Sequence, residues 1–313
     1  MKILVAGHTG LVGGALFRYF TSNGFTTHGV SSAEADLRDF NQALNVVEEI
    51  RPNLIIDAAA KVGGVGANIK FPVDFLEDNL KIQSNLMSAA HKLNVEKFVF
   101  LGSSCIYPRD IPQPIPEQAL LSSHLEPTNT AYAIAKISGV VAINSYFQQH
   151  QRSWFSVMPC NLYGEQDNFD QESGHVVASL ISKFCDAVEN GNRAVEVWGS
   201  GNPRREFMYA EDLPEAILLL LEAEVGGTHF NVGFGEDISI RELVNLIVEV
   251  SGFKGNVVWN STKPDGIPRK LLDSSRVRNL GWNPKTDLRT GIERVVQHYF
   301  DKRPNLRGVK PLA

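Results

Sequence analysis

The feature that most constrains this chain is a glycine-rich turn near its start. Gly7-His8-Thr9-Gly10-Leu11-Val12-Gly13 follows the apolar run Ile3–Ala6 and opens a helix-like segment, Leu11–Ser22. A strand that turns on glycines into a helix lets the backbone approach a pyrophosphate at the helix N-terminus, and lets helix and strand pack closely. The spacing is GxxGxxG rather than GxGxxG, yet the physical need it answers is the same. The turn therefore predicts a dinucleotide site on a strand–helix unit.

The alternation continues through Thr27–Val30, Phe40–Ile50 and Leu54–Ala58, and Phe98-Val99-Phe100-Leu101 adds a further central strand. Short apolar strands separated by helices predict an α/β fold, a Rossmann-type doubly wound parallel sheet. Helices are expected at Asn79–Leu93 and Tyr132–Phe147. The second is apolar on more than one face, so it is expected to pack both on the sheet and on a partner subunit, in a homodimer, a covering loop being the alternative. Prolines 108, 112, 114 and 116 mark an irregular loop, and the breaker-rich stretch 164–174 marks a boundary. Residues 1–164 are expected to form the dinucleotide-binding domain. Residues 165–313 are expected to form mainly a smaller C-terminal α/β substrate-binding lobe, with segments around 199–233 returning to the first domain. That lobe is expected to hold helices at 176–190, 212–223 and 240–251 and a strand at Ala194–Trp198.

A net charge of −5 over 313 residues leaves no broad basic surface for a nucleic acid. The longest apolar stretch, near Ile217–Leu221, is too short to span a bilayer, so no membrane partner is expected. Cys105, Cys160 and Cys185 are odd in number and lack CxxC spacing, which predicts neither a disulfide framework nor a metal site and fits a reducing cytoplasm.

Tyr132-Ala133-Ile134-Ala135-Lys136 sets a phenol and an ammonium on one helix face. A phenol titrates near pH ~10, and a neighbouring cation brings the phenolate toward neutrality. Lys136 can also hydrogen-bond ribose hydroxyls. Ser103 follows a sheet strand, where parallel sheets gather their ligands, and can hold the carbonyl oxygen that Tyr132 protonates. The end of the second strand, Gly29-Val30-Ser31-Ser32, carries neither an acid for a ribose hydroxyl nor a base for a 2′-phosphate. Asp36 and Leu37 are expected near the adenine edge, and Ala58-Ala59-Ala60 is small enough for a cofactor to lie close.

Several longer stretches extend this pattern: Ala59-Ala60-Lys61-Val62-Gly63-Gly64, Leu101-Gly102-Ser103-Ser104-Cys105-Ile106-Tyr107-Pro108, Glu126-Pro127-Thr128-Asn129, Asn161-Leu162-Tyr163-Gly164, Val197-Trp198-Gly199-Ser200-Gly201, Arg205-Glu206-Phe207 and Lys263-Pro264-Asp265-Gly266. On them the chain resembles, nearly end to end, the GDP-L-fucose synthases, which are GDP-4-keto-6-deoxy-D-mannose 3,5-epimerase/4-reductases. The resemblance implies NADPH as hydride donor, held by Gly7, His8, Thr9, Gly10, Leu11, Val12, Gly13, Asp36, Leu37, Ala59, Lys136, Asn161 and His175. It implies Ser103, Tyr132 and Lys136 for reduction at C4, and Cys105 with His175 as the acid/base pair at C3 and C5. A GDP-sugar substrate would then meet Asn161, Lys183, Trp198, Arg205, Lys263 and Asp265. The chemistry is coherent, because a ketone at C4 acidifies the protons on both neighbouring carbons.

The chain departs from that family where arginines hold the 2′-phosphate, having Thr9, Ser31 and Ser32 there. Lys183 stands in place of an arginine, and Cys160 where a threonine is common. A reductase that leaves C3 and C5 untouched is the nearest alternative, and these departures also keep another GDP-4-keto sugar, a dideoxyhexose or a heptose, as an alternative substrate. A non-catalytic NADP-binding regulator is a third reading, opposed by the intact Ser103, Tyr132 and Lys136.

Overall fold

The computed structural model describes residues 1–263 and 265–309; Pro264, within the Lys263–Gly266 stretch, lies outside them. The N-terminal half runs β1 (Lys2–Ala6), α1 (Leu11–Ser22), β2 (Thr26–Val30), α2 (Phe40–Ile50), β3 (Leu54–Asp57), α3 (Val65–Lys70), α4 (Pro72–Lys92), β4 (Lys97–Leu101), α5 (Thr130–His150) and β5 (Phe155–Pro159). It continues with β6 (Asn161–Tyr163), α6 (Val176–Glu189), β7 (Ala194–Trp198), β8 (Arg204–Tyr209), α7 (Leu213–Glu222), β9 (His229–Val232) and β10 (Asp237–Ser239). The last elements are α8 (Ile240–Ser251), β11 (Asn256–Asn260), β12 (Arg269–Lys270), α9 (Ser275–Arg278) and α10 (Leu288–Lys302).

Six strands form one sheet in the order β2-β1-β3-β4-β5-β9, parallel throughout. The expected doubly wound α/β sheet is therefore present. Its strands are buried apolar runs such as Ile3–Ala6 and Phe98–Phe100, as a sheet covered on both faces requires. β9 pairs with β5, Ser156 opposite His229, so a segment well beyond residue 199 lies in the same sheet as the N-terminal strands.

The remaining strands form two small sheets: β10-β8-β12 with β6 beside β8, and β11 beside β7. α6, α8 and α10 enclose a second apolar core around Phe169, Phe184, Leu243, Ile247, Ile292 and Tyr299. No helix among the described residues is long and apolar enough to cross a membrane.

Three expectations change in detail. α4 begins at Pro72 rather than Asn79, because Pro72 occupies the first turn, where a missing N–H costs nothing. The helix expected from residue 212 starts at Leu213, after a 3₁₀ turn at Ala210–Asp212; Asp212 is held there by the backbone N–H groups of Lys285 and Thr286. β8 was not expected, since Arg204-Arg205-Glu206 breaks an apolar pattern. Buried Glu206 is tolerated because its carboxylate accepts the N–H of Gly235 at 2.7 Å and of Leu272 at 3.0 Å.

Candidate active site

The glycine turn leaves β1 with Gly7 at φ 78°, a conformation natural to glycine. The Gly7 N–H donates to the Val30 carbonyl at 2.8 Å, tying the turn to β2. A Cβ at Gly7 would stand 2.8 Å from the Ala58 oxygen and Ala59 Cα, and one at Gly13 would stand 2.1 Å from the Gly7 oxygen. α1 is preceded by Gly10 at the N-cap, which offers no side-chain cap, and has no acidic residue in its first turn. Its leading N–H groups are left for an anion. Thr9 is exposed beside the turn. Leu11 and Val12 begin the helix, Val12 packing on the main core. His8 is turned beneath β2, its ring 5.4 Å from that of Phe17 and against Gly29.

Beyond β2, the Ser31 N–H and hydroxyl both donate to the Glu34 carboxylate at 2.7 Å. Both Asp36 oxygens are taken by Arg38, at 2.8 and 2.9 Å. Leu37 is buried in the core, and its carbonyl accepts from Asn85. Asp36 and Leu37, expected near the adenine edge, thus have side chains committed to Arg38 and to the core.

Ser103, just past β4, accepts the Cys105 N–H on its Oγ at 3.2 Å. Lys136 is buried on α5 one turn beyond Tyr132; its Nζ donates to the Leu101 carbonyl at 2.8 Å and lies 6.0 Å from the centroid of the Tyr132 ring. Burial pulls the Lys136 ammonium down to about 8, against the pull of Asp57. Burial raises the Tyr132 phenol and the nearby Cys105 adds to this, while the Ser103 hydroxyl draws it back. Asp57 itself ends β3 opposite Phe100 and is 1% exposed. Its Oδ1 accepts the Ala59 N–H at 3.2 Å, and its Oδ2 has no protein partner among the described residues. Burial raises it to about 6, with Lys136 opposing.

Cys105 is half-buried. The Nζ of Lys270 stands 4.0 Å from its Sγ, and Lys270 pairs laterally with Arg205 across β12 and β8. Lys270 is 8% exposed. Burial lowers the half-buried Arg205, and Cys105 and Asp265 pull it back up. The Lys270 ammonium thus stands beside the thiol, with Arg205 on the adjacent strand. His175 heads α6 and lies 2.9 Å through Nδ1 from Oδ1 of buried Asp167.

Sequence reasoning missed Asp57, Asp167 and Lys270. Two carried a faint signal, Asp57 at the end of the apolar run Leu54-Ile55-Ile56 and Lys270 just before Leu271-Leu272; Asp167, in a polar loop, carried none.

Trp198 is 53% exposed. Lys183 and Lys263 place their Nζ atoms 5.4 and 4.9 Å from the centroid of its ring. Asp265 accepts the Ser200 N–H at 2.8 Å and its hydroxyl at 2.6 Å. Asn161, at the start of β6, donates to the Glu206 carbonyl at 2.8 Å. The structure thus brings together two constellations, Ser103–Cys105–Tyr132–Lys136 and Trp198–Lys183–Lys263–Asp265, with Arg205 electrostatically coupled to both through Cys105 and Asp265. Such a site can protonate a carbonyl, remove a proton beside it and hold a diphosphate.

Residues 3–233 match the NAD dependent epimerase/dehydratase family. The chain is 48% identical over 300 residues to GDP-L-fucose synthase 1 of Arabidopsis thaliana, covering 96% of this chain and 93% of that one. It is 41% identical over 317 residues to GDP-L-fucose synthase of Escherichia coli, covering 98% and 99%. The solved structure of a GDP-L-fucose synthetase from Naegleria fowleri bound to NADP superimposes with a TM-score of 0.87 at 29% identity, covering 98% and 96%. With its glycine turn, its Ser-Tyr-Lys group and full-length likeness to these proteins, the chain belongs to the NAD dependent epimerase/dehydratase family and, within it, to the GDP-L-fucose synthases.

Proposed function

We propose that this chain converts GDP-4-keto-6-deoxy-D-mannose to GDP-L-fucose by epimerisation at C3 and C5 followed by NADPH-dependent reduction at C4. The observation that carries the reading is the Cys105 thiol beside the Lys270 ammonium, with Cys105 and Ser103 joined by a hydrogen bond and both acting on Tyr132. A reductase alone has no use for a cation-flanked thiol at that place. The names and near full-length identity of the relatives support the same substrate.

A nicotinamide dinucleotide fits the residues present: the crowded Gly7–Gly13 turn admits a pyrophosphate backbone approach, and the uncapped start of α1 receives its charge; NADP as that dinucleotide is supported by the similar structure solved with NADP bound. When bound, it supplies the hydride for C4. Lys136 would hold the nicotinamide ribose, and burial keeps the Tyr132 phenol in its protonated form, the form that can give a proton. Ser103 orients the ketone oxygen, and Tyr132 gives that oxygen its proton as reduction completes. In the preceding half-reaction Cys105, as thiolate, takes the proton from C3 or C5, the C4 oxygen holds the enolate charge, and His175 returns a proton to the opposite face. Arg205, Lys183 and Lys263 meet the diphosphate, with Trp198 giving a flat face to the nucleotide end.

The division at residue 164, with the 199–233 segments in the cofactor half, is part of this reading, as are a homodimer and a cytoplasmic location. Ile134 and Val141, two turns apart on α5, are exposed together with Val73 on α4; that apolar face suits a helix-to-helix dimer contact.

The test is NMR of the product formed from GDP-4-keto-6-deoxy-D-mannose and NADPH in deuterated water. GDP-L-fucose carrying deuterium at C3 and C5 is expected. A reduced sugar without deuterium at either carbon would overturn the epimerase half, and cofactor binding without turnover would move the substrate to another GDP-4-keto sugar.

A further inference from the structure

His175 and Asp167 sit in very different surroundings for two groups in contact. The histidine side chain is 42% exposed and the carboxylate 2%. Asp167 is fixed by its own loop: Oδ1 also accepts the Asn168 N–H at 2.8 Å, and the Asp167 N–H donates to the Gly164 carbonyl at 3.3 Å. Its Oδ2 is buried without a protein partner among the described residues.

That loop is held from the far end of the chain. The Phe169 N–H donates to the Arg307 carbonyl at 2.9 Å, and the Phe169 ring is buried 5.2 Å from that of Tyr299. Gly308 follows at φ +83°, so close that a Cβ there would stand 2.1 Å from Asn168 Oδ1 and 2.5 Å from the Asp170 nitrogen. Two successive residues therefore clamp residues 168–170, and the place of Asp167 is set from outside the site.

A neutral imidazole carries one N–H, and the hydrogen bond at one nitrogen decides which. With a carboxylate at Nδ1, the proton stays on Nδ1 in the neutral ring, and Nε2 becomes the nitrogen that gains and loses a proton. The charged groups facing His175 are Asp167 and Arg307. Burial disfavours the imidazolium, but the hydrogen bond and charge of Asp167 outweigh burial and Arg307 together, and the ring titrates above its ordinary value.

We propose that Asp167, held by the Arg307–Gly308 clamp, is the positioning residue that fixes His175 with Nε2 as its proton-donating nitrogen during epimerisation. This rests on the reading of His175 as the acid of that half-reaction. There the thiolate of Cys105 takes the carbon-bound proton, and the C–H electron pair moves into the enolate. The imidazolium then gives its Nε2 proton to the other face, leaving a thiol and a neutral Nδ1–H imidazole that solvent exchange resets.

The experiment is nitrogen-15 NMR of the histidine rings, assigned with His175→Gln, combined with solvent-deuterium exchange at C3 and C5 of the GDP-4-keto sugar. In the unaltered protein the neutral His175 ring is expected as the Nδ1–H tautomer. Asp167→Asn is expected to move the His175 titration to lower pH and to slow exchange by about tenfold or more, with Asp167→Glu recovering part of it. Gly308→Ala is expected to give a weaker form of the same change. An Nε2–H tautomer in the unaltered protein overturns the proposal even if no variant folds, and so does an Asp167→Asn protein with unshifted titration and full exchange. Full exchange in His175→Gln would instead overturn the reading of His175 as the acid.

Discussion

The ammonium of Lys270 lies 4.0 Å from the sulfur of Cys105, and the two residues are 165 positions apart in the chain. A thiol that must act as a base needs a neighbouring positive charge, and a buried lysine that keeps its charge needs an anion. Lys270→Met is expected to lower solvent-deuterium exchange at C3 and C5 by about 10- to 100-fold. Alkylation of Cys105 by iodoacetamide at neutral pH is expected to slow in parallel. Unchanged alkylation would show that the ammonium does not act on the sulfur.

Tyr132→Phe removes the proton donor for the C4 oxygen but leaves the ring in its edge-on contact with Phe75, 6.2 Å between centroids. Reduction is expected to fall by about 10²–10⁴-fold, while NADPH affinity, read by fluorescence titration, stays nearly the same. A large loss of cofactor affinity would reassign the phenol to binding.

Asp57→Asn separates stability from activity. Burial raises the Asp57 carboxyl to about 6, above the ordinary carboxylate value, so its neutral form is the one the fold favours. That contribution is complete below the ordinary carboxylate range and is lost as pH rises through about 6. Above this pH the asparagine variant is expected to be more stable, by roughly 1–2 kcal/mol, in thermal melts. Asp57 also opposes the loss of the proton from Lys136, which burial brings down to about 8. The alkaline limb of the reduction profile is therefore expected to move to lower pH in the same variant; an unmoved limb would separate Asp57 from the lysine.

Gly13→Ala drives a methyl into the Gly7 carbonyl, 2.1 Å away. The overlap falls on backbone and cannot be relieved by a side-chain rotation, so a loss of about 1–3 kcal/mol is expected, together with weaker NADPH binding. Thermal melts with and without cofactor check both. Gly24, where a Cβ meets nothing within 4 Å but φ is +81°, is the comparison that isolates crowding from backbone strain.

What could be read from the sequence was what is local in it. The glycine turn, the serine after β4 and the Tyr132–Lys136 helix face each lie within a few residues, where spacing alone sets geometry. β8 escaped because three charged residues in succession hide a strand, and only the folded chain shows Gly235 and Leu272 answering Glu206. Lys270 and Asp57 escaped for a related reason: their partners reach them by strand pairing and by a helix crossing the sheet. Asp167 lies nearer to its histidine, eight residues away, but in a loop whose shape is set by residues 307 and 308.

The pairing of β9 with β5 fixes an order of events during synthesis. The outer edge of β5, complete once Pro159 has emerged, offers unpaired backbone groups until His229–Val232 arrive to cover it. For that interval the nascent chain carries an open sheet edge of the kind that recruits foreign strands. The later half of the chain thus acts as an internal guard for the earlier half, since β9 is made only after β6, α6, β7, β8 and α7.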